Sequence, residues 1–217
     1  MIRGRSAGGR IWLCVSALVL LVASACSNGT DDATSPFHPK HGSLKVDTPV
    51  LRSLKAAAGI APCPVTGSGS GVVGGGLPAL TLPCLGGGRD VELAGLRGPL
   101  VINLWSQTCG PCRDEAPLLQ QLWATARQEV RVVGLDFYDP QPGLALEFAR
   151  AHGLTYPQVA DPEASAKADL HVAALPMTLF VDSTGRIAYT QVGPIQSATE
   201  LRDLLREHLG VDVPAMP

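Results

Sequence analysis

The sequence Cys-Gly-Pro-Cys at residues 109–112 constrains the fold most strongly, because it follows an apolar run at 99–105 after only three residues. A nearly continuous apolar run predicts a buried central strand. A helix predicted over 109–127 then places Cys109 at a helix N-terminus, where free N–H groups and the helix dipole lower the pKa of a thiol. This pattern is typical of thiol–disulfide exchange, with Cys109 as the attacking nucleophile and Cys112 as the residue that resolves the mixed disulfide.

A zinc site is the competing interpretation of two cysteines at this spacing, since zinc sites are often built from two such pairs. The sequence has no second pair of this kind, and no Cys/His pair lies nearby. Zinc would therefore lack ligands, and we expect the domain to hold no metal and no cofactor.

Alternating helical and strand patterns predict an α/β fold with a mixed central sheet flanked by helices. Strands are predicted at 77–82, 91–93, 99–105, 130–137, 156–159, 177–181 and 186–191. Helices are predicted at 49–59, 109–127, 142–152, 161–169 and 199–209. The helix at 161–169 would begin with Asp161 as its N-cap and Pro162 in its first turn.

Residues 1–25 are typical of an export signal, with three arginines before an apolar segment at 11–22 and Ala-Ser-Ala at 23–25. The apolar segment is shorter than the roughly 20 residues of a membrane-spanning helix, which favours cleavage. Cys26 follows the small residues directly and resembles the first residue of a bacterial lipoprotein. We expect a lipid on Cys26 and a flexible tether over 26–49, which would anchor the protein to the outer face of the cell membrane. Secretion after ordinary cleavage is the alternative.

The charge balance argues against nucleic acid as a partner. Three of the 17 basic residues lie in the predicted signal, so its removal leaves 14 basic and 19 acidic residues, a net charge of −5. No basic patch remains in the sequence to bind a phosphate backbone.

Cys63 and Cys84 are two further cysteines of the exported part. Thiols outside the cytoplasm tend to oxidise, so a disulfide between these two is the simplest expectation. It would close a glycine-rich loop and stabilise the fold by roughly 3 kcal/mol. A second redox pair that feeds Cys109 is the alternative.

The surroundings of the Cys-Gly-Pro-Cys sequence resemble the thioredoxin superfamily. Asn103 stands six residues before Cys109, where thioredoxins have a buried Asp, and Pro117 stands where they have a helix proline. The sequence at 175–182 resembles their cis-proline loop, and Glu115, three residues after Cys112, matches the TlpA/ResA/CcmG-like branch of membrane-tethered thiol–disulfide oxidoreductases. The resemblance implies a thioredoxin-like domain at 77–211 with an N-terminal hairpin and a central insertion, preceded by a short helix and a Gly-rich loop at 50–76.

The resemblance also implies roles for individual residues. Pro176 is expected to be cis and to pack against Cys109. Glu115 is expected to handle protons, because desolvation near the cysteine pair would raise the pKa of its carboxyl group; an ion pair with Arg113 is the alternative for this residue.

Gly-Pro between the cysteines resembles reducing thioredoxins, which implies a protein-disulfide reductase. Such a protein would receive electrons from a membrane thiol donor of the CcdA or DsbD kind. Typical substrates in this branch are cytochrome c apoproteins and copper-assembly proteins.

Two other functions stay open at this point. A copper carrier would use Cys109, Cys112 and His171, since Cu(I) favours thiolates. A non-catalytic binding module is the third class. A peroxidase of the peroxiredoxin type is disfavoured, because no Pro-xxx-Thr-xx-Cys arrangement ends at Cys109.

Overall fold

A computed structural model describes residues 44–66 and 71–216 of the chain. The predicted signal at 1–25, Cys26 and most of the predicted tether lie outside the described residues. Val46, near the start of the described residues, is buried. Thr48 caps the first helix, because its side chain accepts a hydrogen bond from the Leu51 backbone N–H at 3.3 Å.

The fold is α/β, as predicted, and is built on a mixed five-stranded sheet. Its strands lie in the order β5-β4-β3-β6-β7, with β3, β4 and β5 parallel and β6 antiparallel to both β3 and β7. A separate antiparallel pair, β1 and β2, precedes the sheet. The elements are α1 Pro49–Ala57, β1 Thr81–Leu82, β2 Val91–Glu92, β3 Leu100–Trp105, α2 Gly110–Ala126, β4 Arg131–Phe137, α3 Pro142–Ala151, β5 Gln158–Asp161, β6 Met177–Val181, β7 Ile187–Val192 and α4 Ala198–Leu209.

The strand β3 lies at the centre of the sheet and is buried along its whole length. Its alternate side chains enter two cores, because successive residues of a strand point to opposite faces. Val101 and Trp105 pack with residues of all four helices, whereas Ile102 packs with residues of 77–96 and 164–172. Burial on both faces explains why the sequence here is an apolar run, interrupted only by Asn103, rather than an alternating pattern.

The predicted helix at 161–169 is wrong. Asp161 ends β5 and is followed by a series of turns. Its carboxylate accepts hydrogen bonds from the backbone N–H groups of Ser165 and Ala166, both at 2.8 Å, so the expected capping group stabilises turns instead. Ala164 adopts a φ of 56°, which a continuous α-helix does not allow.

A disulfide joins Cys63 to Cys84 and ties the segment after α1 to the segment after β1. Nearby, the Ala61 N–H donates to the Thr155 backbone oxygen at 2.8 Å, and Cys84 forms an isolated antiparallel bridge with Val159 of β5. The segments after α1 and β1 are thereby fixed to β5, at the edge of the main sheet. None of the helices within 44–66 and 71–216 has the length and apolarity to cross a membrane.

Candidate active site

Cys109 is the N-cap of α2, in the loop that follows the central strand β3. Its Sγ accepts a hydrogen bond from the Cys112 backbone N–H at 3.2 Å. A sulfur in this position interacts with the positive end of the helix dipole, which favours the thiolate over the thiol. The sequence prediction of a cysteine at a helix N-terminus is confirmed.

The structure contains the oxidised pair, with a disulfide between Cys109 and Cys112. The two sulfurs differ in accessibility, because Cys109 is half-buried whereas Cys112 is only 3% exposed. An incoming thiol or disulfide can therefore reach Cys109 more readily than Cys112.

Asp139 fixes the loop between β3 and Cys109. It follows β4, the parallel neighbour of β3, and its Oδ2 accepts a hydrogen bond from the Gln107 backbone N–H at 3.0 Å. Its Oδ1 accepts from the Gln141 N–H at 3.0 Å, so both carboxylate oxygens hold backbone near the site. Sequence reasoning missed this residue, although its place directly after a strand parallel to β3 was a usable signal.

A second buried carboxyl group, Asp136, lies opposite Trp105 in the register of β4 and β3. Burial raises the pKa of Asp136 well above its ordinary value, and the charge and hydrogen bond of Asp139 raise it further. Within the described residues its Oδ1 has no hydrogen-bond partner. These observations favour a neutral Asp136, because burial and the neighbouring carboxyl group both disfavour its charged form.

Glu115 is 1% exposed and lies on α2, three residues after Cys112. The Asn103 side-chain amide donates to its Oε2 at 3.2 Å, and the Ile195 backbone N–H donates to its Oε1 at 3.2 Å. The Thr178 hydroxyl donates to the same Oε1 at 3.4 Å and accepts from the Asn103 amide at 3.0 Å. Glu115 therefore binds polar groups of the core rather than the exposed Arg113, against the ion-pair alternative.

Burial raises the pKa of Glu115 from 4.5 to about 7, although the hydrogen bonds from Ile195, Asn103 and Thr178 oppose the change. A carboxyl group with this pKa exchanges protons near neutral pH, which is the property required of a general acid or base. The direction agrees with the expectation drawn from the sequence.

The peptide bond between Leu175 and Pro176 is cis. The Pro176 backbone oxygen accepts a hydrogen bond from the Gly193 N–H at 2.9 Å, and the next strand, β6, brings Thr178 to Glu115. The contact of Pro176 with Cys109 stays a prediction.

His171, the proposed third ligand of a copper site, is exposed and has a φ of 52°. Across residues 44–66 and 71–216, no three side chains of His, Cys, Asp or Glu group in a way that could hold a metal ion.

Comparison with known sequences places the chain among thioredoxin-like proteins. The AhpC/TSA family matches residues 73–190. The thiol:disulfide interchange protein DsbE of Pseudomonas fluorescens biotype C is 28% identical over 149 residues, which cover 68% of this chain and 82% of that protein. The DsbE homolog of Paracoccus denitrificans is 37% identical over 99 residues; these are 45% of this chain and 52% of that protein, so the chain spans about half of its length.

Solved structures give the same result. The structure of MTB dsbF, in mixed oxidised and reduced forms, is 30% identical in sequence, with a TM-score of 0.51. The match covers 58% of this chain and 93% of that one. The predicted thioredoxin-like fold is thereby confirmed, with the mixed sheet and the flanking helices in place.

Proposed function

Because the chain belongs to the AhpC/TSA family and is a thiol–disulfide oxidoreductase of the DsbE type, we propose that it reduces protein disulfides outside the cytoplasm through Cys109 and Cys112. The observation that supports this most is the asymmetry of the two sulfurs. Cys109 is accessible and caps α2, whereas Cys112 is buried one turn further along the helix. That arrangement suits one attacking thiol and one resolving thiol.

In the proposed reaction the Cys109 thiolate attacks a substrate disulfide and expels one substrate sulfur as a thiolate. The product is a mixed disulfide between Cys109 and the substrate. Cys112 then attacks the Cys109 sulfur and releases the second substrate sulfur. The substrate gains two electrons and two protons, and the protein is left with the Cys109–Cys112 disulfide.

Glu115 is the proposed base for the second step. Cys112 must lose its proton before it can attack, and burial makes a free thiolate costly there. Residues three apart share a helix face, so the Glu115 carboxylate can take this proton directly or through a water molecule. The pKa of about 7 suits such transfer near neutral pH.

The direction of electron flow is proposed from the Gly-Pro dipeptide, which resembles reducing thioredoxins. We expect a reduction potential nearer to thioredoxin's roughly −270 mV than to DsbA's roughly −120 mV. The protein would then need a membrane thiol donor of the CcdA or DsbD type. Cytochrome c apoproteins and copper-assembly proteins are the two proposed substrate classes.

The proposed location is the outer face of the cell membrane, with a lipid on Cys26, a tether over 26–49 and the catalytic domain at 77–211. Cys26→Ala should abolish acylation and release the protein from the membrane fraction. Mass spectrometry of the mature wild-type N-terminus decides the point, because an unmodified Cys26 there would contradict lipid anchoring.

Trapping of the mixed disulfide tests the proposed roles. In its own host, Cys112→Ser should accumulate covalent complexes with substrate proteins that disappear on reduction. Cys109→Ser, the matched control, should accumulate none, because the attacking thiol is missing. Equal trapping by the two variants, or by neither, would contradict the assignment, and the trapped partners would identify the substrate.

A further inference from the structure

The disulfide between Cys63 and Cys84 has an unusual neighbour in the ammonium group of Lys55. This residue lies on α1, and its Nζ is 2.9 Å from the Cys84 Sγ. The same Nζ donates to the Gly87 backbone oxygen at 2.7 Å, so the ammonium group is held in place against the sulfur. A structural disulfide needs no cation, since its sulfurs are neutral and accept hydrogen bonds only weakly.

The second sulfur also has a polar neighbour. The Cys63 Sγ lies 3.2 Å from the backbone oxygen of Gln158. In the disulfide this sulfur has no proton to donate, whereas a Cys63 thiol could donate to that oxygen. The surroundings therefore fit the reduced pair, with Cys84 as a thiolate beside Lys55 and Cys63 as a neutral thiol beside Gln158.

Access to the disulfide is also one-sided. Cys63 lines an open cavity of about 420 Å³, together with Lys55, Arg89 and the apolar Ile60. Cys63 is 7% exposed, whereas Cys84 is 1% exposed and does not line this cavity. An attack from the cavity therefore meets Cys63 and leaves Cys84 as the departing sulfur, the one beside Lys55.

We propose that Cys63–Cys84 is a second thiol-exchange site, at which a small anionic thiol enters the cavity, attacks Cys63 and expels Cys84 as a thiolate paired with Lys55. The two cations of the cavity wall, Lys55 and Arg89, favour a thiol that also has carboxylate groups. Burial lowers the pKa of Lys55, and Asp47 opposes this effect. A thiolate at Cys84 would add a second negative charge that keeps the ammonium protonated.

The exchange balances without a further oxidant or reductant. The electron pair of the incoming thiolate forms a bond to Cys63, the bond between Cys63 and Cys84 breaks, and its electron pair stays on Cys84. A second small thiolate can then attack the mixed disulfide. It releases the oxidised small-molecule disulfide and leaves Cys63 and Cys84 reduced.

The test uses the full chain with Cys109→Ser and Cys112→Ser, so that a failure of the proposed reductase function cannot affect it. Reduced glutathione serves as the anionic probe thiol and cysteamine as the cationic one. Reaction is followed under native conditions by mass spectrometry, and peptide mapping locates the adduct. We expect a rate that is first order in glutathione, an adduct on Cys63, and faster reaction with glutathione than with cysteamine at equal thiolate concentration.

Lys55→Met should slow the reaction with glutathione about tenfold or more, the scale of one charge-assisted hydrogen bond. Lys45→Met, at an exposed lysine before α1, is the matched control and should leave the rate unchanged. Lys55→Arg retains the charge and should restore part of the rate if Lys55→Met perturbs folding. An adduct on Cys84, a rate limited by unfolding and independent of thiol, or equal rates for the Lys55→Met and Lys45→Met proteins would overturn the proposal.

Discussion

Replacing Glu115 by Gln is the perturbation whose effect follows most directly from the structure. The substitution removes the titrating group and retains nearly the same shape. One amide oxygen can still accept from Ile195, at the position of the present Oε1. The new NH₂ group would face the Asn103 amide, which can rotate to present its oxygen, because the Thr178 hydroxyl can either donate or accept.

The magnitude comes from the two pKa values of the carboxyl group, 4.5 in an ordinary environment and about 7 in the folded protein. A raised pKa means that the folded protein binds this proton more tightly than the unfolded chain does. The stabilisation that this bound proton gives the folded state is complete below about pH 4.5. It is lost as the pH rises from about 4.5 to about 7, and it stays lost at higher pH. A difference of about 2.5 pH units, at about 1.36 kcal/mol each, corresponds to about 3 kcal/mol.

The assay is urea unfolding of the oxidised protein at a series of pH values from about 4.5 to 8. The wild type should lose about 3 kcal/mol more than Glu115→Gln over this range, since all other titrating groups are common to both proteins. Glu147→Gln, at an exposed position of α3, is the control and should follow the wild type. Parallel curves for the wild type and Glu115→Gln would refute the buried, proton-binding role of Glu115.

The same substitution has a second effect in the reduced protein. An ionised Glu115 and a thiolate in the cysteine pair repel each other, so the carboxylate raises the pKa of the Cys109 thiol. Glu115→Gln should therefore lower that pKa, and the pH–rate profile of disulfide reduction should lose one ionisation. Ultraviolet absorbance of the thiolate against pH measures the effect; superimposed curves would leave Glu115 with a structural role only.

Three other substitutions have defined outcomes. Thr178→Val removes a hydrogen bond that lowers the pKa of Glu115, so the stability loss should extend to higher pH in the same urea series. If the pH at the midpoint of that loss is unchanged or lower, the result would argue against the contact between Thr178 and Glu115. Replacing both Cys63 and Cys84 by Ser opens a loop with a sequence separation of 21 and should lower the free energy of unfolding by about 3 kcal/mol. Gly134→Ala should destabilise by about 1–3 kcal/mol in thermal or urea unfolding, because its new methyl group would overlap the buried glutamine side chain of β5; full wild-type stability would contradict that packing.

The sequence predicts best what is determined locally. The apolar run at 99–105 identifies the central strand because burial on both faces leaves Asn103 as the one polar position in the strand. The helix after it is predictable from the cysteine pair and the amphipathic pattern, and with it the position of Cys109 as N-cap. The mixed direction of the sheet follows from strands that first alternate with helices and then form a hairpin.

The contacts that the sequence does not predict depend on which strands are neighbours. Gln158 illustrates this, because its side-chain oxygen accepts from the Trp105 indole N–H at 3.0 Å, two strands away in the sheet. That contact crosses Gly134 of the intervening strand β4, where a side chain would leave no room. A glycine in the middle of a strand signals a close approach, but the sequence does not name the group that approaches. Asp139 was missed for the same reason, since its partner Gln107 lies on another connection.

Single-turnover reduction of insulin by the fully reduced protein tests whether this chain is a disulfide reductase. We expect wild-type protein to reduce the insulin disulfides without added metal and to end with Cys109 and Cys112 joined. Cys109→Ser should abolish the reaction, whereas the Cys63→Ser/Cys84→Ser protein, assayed under conditions in which it is folded, should retain it. Reduction that persists in Cys109→Ser, or a wild-type protein that reduces no disulfide, would contradict the assignment of this chain as a reductase that acts through Cys109.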